Sequence, residues 1–119
     1  MAVGLDLDQY QLRNRVLLIF APKPEDARWE VQNAYLEEGE ATLEERDVVV
    51  YGIFEDGPSF AEERAVSHED SERARAEFGV REGSFALHLL DLDGTEILDS
   101  SEPLPVEEMA EVVDGKPDD

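Results

Sequence analysis

Apolar and polar positions follow one another along the chain in blocks that predict strands and helices in turn. Residues 16–20 (VLLIF) form a continuous apolar run, which is typical of a strand covered on both faces in the middle of a sheet. Pro22 and Pro24 end this strand, and the acids Glu25 and Asp26 favour the positive end of the helix that follows. Apolar side chains then recur at helical spacing up to Gly39, at Ala27, Val31, Ala34 and Tyr35.

The middle of the chain repeats this alternation. Residues 47–54 contain the run VVVY and predict a second buried strand, and residues 55–59 (EDGPS) predict a loop. Residues 60–66 are ambiguous and receive no assignment. Ser67, with Asp70 three residues later, resembles a capping box, and the helix it begins ends at Phe78 and Gly79.

The last third predicts a hairpin and one more helix. Residues 84–91 and 95–99 have strand patterns and flank Asp93 and Gly94, a dipeptide typical of hairpin turns. Pro105 opens the final helix, whose apolar face consists of Val106, Met109, Val112 and Val113. Gly115 ends this helix.

The order of these elements predicts a fold. A strand, a helix and a second strand form a right-handed parallel crossover, and the closing hairpin adds an antiparallel edge. We therefore predict an α/β, thioredoxin-like fold: a four-stranded mixed sheet with helices on both faces. Residues 1–115 are expected to form one domain, and residues 116–119 an acidic tail.

The chain resembles a thioredoxin-like family of domains of unknown function. The resemblance covers residues 10–114 and rests on the segments YQLRNRVLLIFAP, ERDVVVYGIFEDG, FGVREGSFALHLLDLDG and SEPLPVEEMAEVVD. Its motifs are Arg15, the pair Arg46 and Asp47, and the Asp93–Gly94 hairpin. This family is widespread in bacteria and is similar to C-terminal modules of sushi-repeat extracellular-matrix proteins. The resemblance implies no catalytic residue, and the chain lacks the basic residues that members often carry before the Asp-Gly turn and at the C-terminus.

The charge excludes several classes of partner. The chain has 31 acidic and 10 basic residues, a net charge of −21, and this charge repels phosphate, so neither nucleic acid nor an anionic membrane surface is an expected partner. Because the acids are spread over the whole chain, we favour adaptation to high salt, where surface repulsion is screened, over the alternative of an acidic surface for a basic partner.

The sequence shows neither a signal peptide nor an apolar run long enough to span a membrane, so membrane insertion is not expected. A native N-terminus predicts a cytoplasmic protein, and a removed signal predicts an exported one.

Redox chemistry is excluded by composition. Many small redox domains carry a reactive cysteine at the turn after the first strand, but this chain has no cysteine, and Ser84 stands where a thioredoxin places its cis-proline. His68 and His88 have no partner in HxH or HxxxH spacing, and residues 91–96 read as a hairpin rather than a calcium loop, so no metal site is predicted. No cofactor is predicted either.

The remaining candidate site is a binding site. The turn at Lys23, Pro24 and Glu25 occupies the functional position of this fold, and Arg46 is a candidate ligand for a carboxylate or phosphate. The competing interpretation is structural: acids stabilising the helix start, and Arg46 anchoring the sheet edge. We predict a module that binds an unknown protein or small ligand. The alternatives are an enzyme of unrecognised type that uses surface carboxylates, and a purely structural domain.

Overall fold

The computed structural model describes residues 13–61 and 64–115. The strands are β1 (Arg15–Ala21), β2 (Val48–Phe54), β3 (Ser59–Ala61), β4 (Arg64–Val66), β5 (Ala86–Leu90) and β6 (Glu96–Ser100). The helices are α1 (Ala27–Glu38), α2 (Glu40–Glu45), α3 (His68–Glu77) and α4 (Val106–Asp114). The expected tail, residues 116–119, and the first residues of the YQLRNRVLLIFAP segment lie outside the described residues.

One mixed sheet holds all of these strands, in the order β4-β3-β2-β1-β5-β6. The pairing of β1 with β2 is parallel, and every other pairing is antiparallel. The thioredoxin-like α/β fold is therefore confirmed, with six strands in place of the predicted four. The two extra strands begin at Ser59, the last residue of the predicted loop, and otherwise come from the stretch 60–66 that the apolar pattern left unassigned. Three-residue strands are too short to show a clear alternation.

Helices cover both faces of the sheet, as predicted. Trp29, Leu43 and Met109 bring α1, α2 and α4 onto one face, where they meet Leu17 and Ile19 of β1. The other face is covered by α3, whose Ala74 packs among the remaining β1 and β2 side chains. Strand β1 lies at the centre of both cores, which explains why its sequence is apolar without alternation.

The buried face of α1 differs from the apolar repeat seen in the sequence. Trp29 and Gln32 are its buried residues, while Val31 is 44% exposed. Gln32 is fully buried because its side-chain amide donates to the Leu104 carbonyl at 2.9 Å and accepts from the Leu104 N–H at 2.8 Å. A polar residue thus connects α1 to the segment before α4, since both ends of its amide are satisfied.

Candidate functional site

The turn between β1 and α1 is closed by its own polar groups. Asp26 caps α1 by accepting from the Arg28 N–H at 2.9 Å, and the Arg28 guanidinium donates to both of its carboxylate oxygens. The Asp26 N–H donates to the Lys23 carbonyl, which completes the turn. Hydrogen bonding to Arg28 holds the pKa of Asp26 below its ordinary value of 3.8. The acid at this turn is therefore engaged in holding the helix start.

A second set of bonds fastens the segment before β5 to this turn. The Arg28 guanidinium donates to the Gly83 carbonyl at 3.1 Å, and the Gly83 N–H donates to Glu55 at 2.6 Å. Arg75 of α3 pairs with the same Glu55 oxygen at 3.1 Å. Gly83 has a φ of +81°, a left-handed conformation that suits glycine. We refer to Arg28, Glu55, Arg75 and Gly83 as the Gly83 clamp.

The Gly83 clamp lies beside the position where redox domains of this fold place their reactive group. It contains two arginines and one carboxylate that bond to each other or to the Gly83 backbone, and the chain has no thiol. Ser84 follows the clamp, and the described residues contain no cis peptide bond. This end of the sheet therefore has polar side chains with a structural task where a redox domain has a nucleophile.

Lys23, Pro24 and Glu25 lie at the outer side of the turn. Lys23 and Glu25 are exposed, and neither forms an ion pair with another residue in the part of the chain that the structure describes. Pro24 is half-buried against Gly57, where an added Cβ would lie 2.8 Å from the proline Cδ. The two charged side chains are accordingly available for contact with a partner, while the proline is held in place.

Arg46 lies at the opposite end of the sheet from these three residues. It follows α2 and precedes β2, whereas Lys23 follows β1, and the two strands run parallel. Seven-residue strands separate the two ends by about 20 Å. The four candidate residues of the sequence prediction therefore do not share one site.

The Arg46 guanidinium is engaged by other parts of the chain. It donates to both carboxylate oxygens of Asp114, at 3.1 and 2.6 Å, and to the Thr42 carbonyl at 2.9 Å. These bonds lower the pKa of Asp114 and raise that of Arg46. These bonds attach Arg46 to the end of α4 and to α2.

The motif residues converge at this same end of the sheet. Arg15 donates to the buried Asp91 at 3.0 Å and to the Arg46 carbonyl at 2.9 Å. The Asp47 carbonyl accepts from the Arg15 N–H and from the Asn14 side-chain amide. We refer to Arg15, Asp91, Arg46 and Asp114 as the Arg15 network. It joins the start of β1, the start of β2, the end of β5 and the end of α4.

The Asp93–Gly94 segment forms a turn, as predicted. The Asp93 carboxylate accepts from the backbone N–H and the hydroxyl of Thr95, and these bonds lower the pKa of Asp93. Asp91 is bonded to Arg15 and to the Leu92 N–H. Both carboxylates therefore form hydrogen bonds within the hairpin turn.

An open groove lies between the helices α1 and α2 and the strands β2 to β4. Its volume is about 620 Å³. The apolar lining consists of Leu36, Leu43, Val48, Val50 and Phe60. The polar lining consists of Asn33, Glu37, Glu40, Glu44 and Arg64. We call this feature the α1–α2 groove.

Aromatic packing supports the floor of the groove. Phe60 lies 5.9 Å from Trp29 between ring centres, and Trp29 meets Phe54 edge-on at 5.0 Å. Gly52 is opposite Phe60, and an added Cβ there would lie 2.5 Å from the Phe60 ring, so glycine is needed for this close packing. The groove was not predicted, because its lining comes from separate elements, including the unassigned hairpin.

A comparison with protein families identifies the chain. The profile described as "Domain of unknown function (DUF4174)" matches residues 6–118. The chain belongs to the DUF4174 family. This match confirms the predicted membership of a family of domains of unknown function, and it covers the Arg15 network and the Gly83 clamp alike. No curated protein matches the DUF4174 chain.

Solved structures similar to this DUF4174 domain include peroxiredoxins. The reduced 2-Cys peroxiredoxin of Plasmodium vivax has a TM-score of 0.70 and 16% identity, over 92% of this chain and 80% of that chain. Plasmodium yoelii thioredoxin peroxidase I has a TM-score of 0.67 and 16% identity, with 92% and 76% coverage. Plasmodium yoelii Prx1a, modified at its N-terminus, has a TM-score of 0.69 and 17% identity, over 92% of this chain and 76% of that chain. Similarity at this level of identity establishes the thioredoxin-like fold alone.

Among residues 13–61 and 64–115, no helix is both long enough and apolar enough to cross a bilayer.

Proposed function

We propose that this DUF4174 domain is a cysteine-free binding module and that the α1–α2 groove is its principal binding surface. The observation that carries the proposal is the combination of an apolar floor with a glutamate rim in one open groove. Its volume of about 620 Å³ lies within the usual range for ligand sites, roughly 300–1,000 Å³. The supported aromatic floor gives a partner a rigid surface, which reduces the entropy cost of binding.

The rim of the groove favours a basic occupant. Glu37, Glu40 and Glu44 are exposed side chains at the edge of the apolar floor. A segment with lysine or arginine beside a large apolar side chain would place its charges on the rim and its apolar group on Phe60. A nucleic acid would be repelled by the same rim, so the proposed partner is a protein segment or a small cationic ligand.

A peptide titration tests the proposal. The probe is a fluorescein-labelled peptide that alternates lysine and leucine, and the reference peptide has glutamate in place of lysine. We expect the basic peptide to bind, as measured by fluorescence anisotropy, and the acidic peptide not to bind. A variant with all three rim glutamates changed to glutamine is expected to bind about tenfold more weakly, since each partly exposed charge contributes up to roughly 0.5–1 kcal/mol.

The control must separate the groove from the overall charge of −21. A matched triple variant on the exposed side of α4, Glu107→Gln, Glu108→Gln and Glu111→Gln, makes the same change in charge away from the groove. We expect it to retain the wild-type affinity. Equal losses in the two triple variants would reject the groove and leave general charge attraction.

The turn at Lys23, Pro24 and Glu25 is proposed as a second contact surface, and Arg46 as a separate anion contact. The exposure of Lys23 and Glu25 supports contact at the turn. Arg46 can bind an anionic ligand only if that ligand displaces the Asp114 carboxylate from its guanidinium. A pull-down at high salt that compares the intact chain with a variant replaced at Lys23, Pro24 and Glu25 tests the turn. An unchanged set of partners would remove the turn from the binding surface.

We also propose that the acidic composition is an adaptation to high salt. The 31 acids leave a self-repulsion that molar salt screens, because the Debye length falls to about 3 Å. The melting temperature is therefore expected to rise between low and molar salt, and a flat or falling curve would reject the adaptation. The likeness to C-terminal modules of sushi-repeat extracellular-matrix proteins is likewise a proposal.

A further inference from the structure

A register shift in the β5–β6 hairpin brings three metal-ligating side chains to one face of the sheet. His88 pairs with Asp99, and Glu96 pairs two positions further along β5, with the irregularity between these pairs. In a regular strand, residues three apart point to opposite faces. Here the bulge adds one residue to β6, so Glu96 and Asp99 lie on the same face. The two residues between them, Ile97 and Leu98, both pack into the core on the opposite face.

The three side chains are close enough to share an ion. His88 Nδ1 lies 3.0 Å from Glu96 Oε1, and one ligand atom from each of the three residues lies within 4.8 Å of the others. Tetrahedral zinc with bonds of about 2 Å holds its ligand atoms about 3.3 Å apart. Small rotations of the exposed Glu96 and Asp99 side chains close this difference.

The imidazole has a fixed position beside an accessible cavity. His88 is largely buried, and its ring packs edge-on against Phe20 at 5.9 Å and at a tilt against Phe78 at 5.1 Å. The same ring lines an open cavity of about 450 Å³, together with Asp99, Arg81 and Ser84. Aromatic packing fixes the ring and the cavity gives an ion access, so the cluster has the preorganised ligand and the entry path that a metal site requires.

We propose that His88, Glu96 and Asp99 bind a divalent transition-metal ion of the zinc class. One imidazole nitrogen and two carboxylate oxygens form a donor set that zinc and its neighbours in the transition series accept. Three protein ligands leave the remaining coordination positions to water. The chain also supplies a two-residue comparison: His68 and Glu72 of α3 lie 3.0 Å apart but are both well exposed, and they join no third ligand among the described residues.

Zinc binding to the metal-free chain tests the proposal. Calorimetric titration with zinc chloride is expected to show one site per chain. Excess magnesium is present to occupy the other carboxylates of the acidic surface. Loss of a residue that only hydrogen-bonds to a metal ligand already costs about 10–100-fold in metal affinity. Asp99→Asn and His88→Gln, which change the ligands themselves, are each expected to weaken zinc binding by about tenfold or more. Asp99 is exposed, so its variant keeps the fold if His88→Gln disturbs the aromatic packing.

The matched control is His68→Gln, which is expected to leave zinc binding unchanged. Side-chain nitrogen NMR gives an independent readout, in which zinc is expected to shift the His88 ring resonances and not those of His68. Equal losses in the His68 and His88 variants, or zinc binding that magnesium fully displaces, would reject the site in favour of cation condensation on an acidic surface.

Discussion

The two ends of the β1–β2 pair carry similar residues but use them differently. At the start of the strands, the Arg15 network joins four elements through a buried carboxylate, Asp91, and a backbone carbonyl. At the C-terminal ends of the strands, Arg28 and the half-buried Glu55 bond the Gly83 backbone, and Arg75 pairs with Glu55. The first set of bonds connects the framework of the domain, while the second fixes a loop beside the turn.

This difference shows how the fold is held together without a thiol at the turn after β1. A thiol-dependent domain needs a reactive group at the turn after β1, and this chain has the Gly83 clamp beside that turn. The Arg15 network at the far end does not depend on what the turn contains. The domain therefore keeps the framework, and the α1–α2 groove beside it is the surface that we propose for recognition.

Breaking the Arg15 network is expected to have the largest effect. Arg15→Ala removes the guanidinium that donates to Asp91, which is 6% exposed, so a buried carboxylate loses its paired arginine. We expect the free energy of unfolding in urea to fall by about 3 kcal/mol. The measurement is a denaturation curve at one fixed salt concentration.

A double-mutant cycle with Asp91→Ala provides the control. The double variant is expected to cost clearly less than the sum of the two single variants, because both single changes remove the same Arg15–Asp91 interaction. Additive costs, within about 0.5 kcal/mol, would mean that Arg15 and Asp91 act independently and that the framework lies elsewhere.

The Gly83 clamp is expected to contribute less. Glu55→Ala removes the acceptor of the Gly83 N–H and leaves Arg75 half-buried without its partner, at a cost of about 1.5 kcal/mol. The value is lower than for Arg15 because Gly83 is exposed and water reaches its N–H. Asp56→Ala, at the exposed neighbouring position, is the control and is expected to change stability by less than about 0.5 kcal/mol. If the Glu55 and Asp56 variants lose the same amount of stability, the bonds of the Gly83 clamp contribute nothing measurable to the free energy of unfolding.

The Asp26 cap is expected to give a smaller effect that depends on pH. Asp26→Ala costs about 1 kcal/mol near neutral pH, the usual loss for a helix cap. The folded-state pKa of Asp26 is lowered, so the ionised carboxylate stabilises the fold above 3.8 and this stabilisation is lost as the pH falls through the lowered pKa. The difference between wild type and variant should therefore shrink in acid.

Asparagine separates the two roles of Asp26. Asp26→Asn keeps an oxygen that caps the helix but cannot ionise, so it removes only the contribution that depends on pH. Its deficit relative to wild type is expected above roughly pH 5 and should disappear in acid. A deficit that is constant across this range would show that the ion pair with Arg28 contributes nothing.

The sequence predicts the parts of this fold whose cause is local. The apolar run of β1, the proline-acid start of α1 and the Asp-Gly turn each follow from neighbouring residues, and each is present in the structure. The α1 face was wrong in detail because Gln32 is buried through bonds to Leu104, 72 residues away. No periodicity within a helix contains that information.

The candidate sites were harder to predict for the same reason. Arg46 has its partner 68 residues away in Asp114, and the lining of the groove comes from elements that meet only after folding. The shared face of Glu96 and Asp99 depends on one extra residue in a strand, and the alternation of the sequence gives no sign of it. A regular alternation would place Glu96 and Asp99, three residues apart, on opposite faces.

The smallest effect is expected at the turn itself. Lys23→Ala and Glu25→Ala change exposed side chains that form no ion pair within the described residues, so stability should stay within about 0.5 kcal/mol of wild type. The urea curves used for Arg15 and Glu55 provide the measurement. A loss comparable to that of Glu55→Ala would place Lys23 and Glu25 in the structural part of the turn. Unchanged stability together with a changed set of partners would instead separate the two tasks of this end of the sheet: the Gly83 clamp holds the loop, and the outer turn contacts the partner.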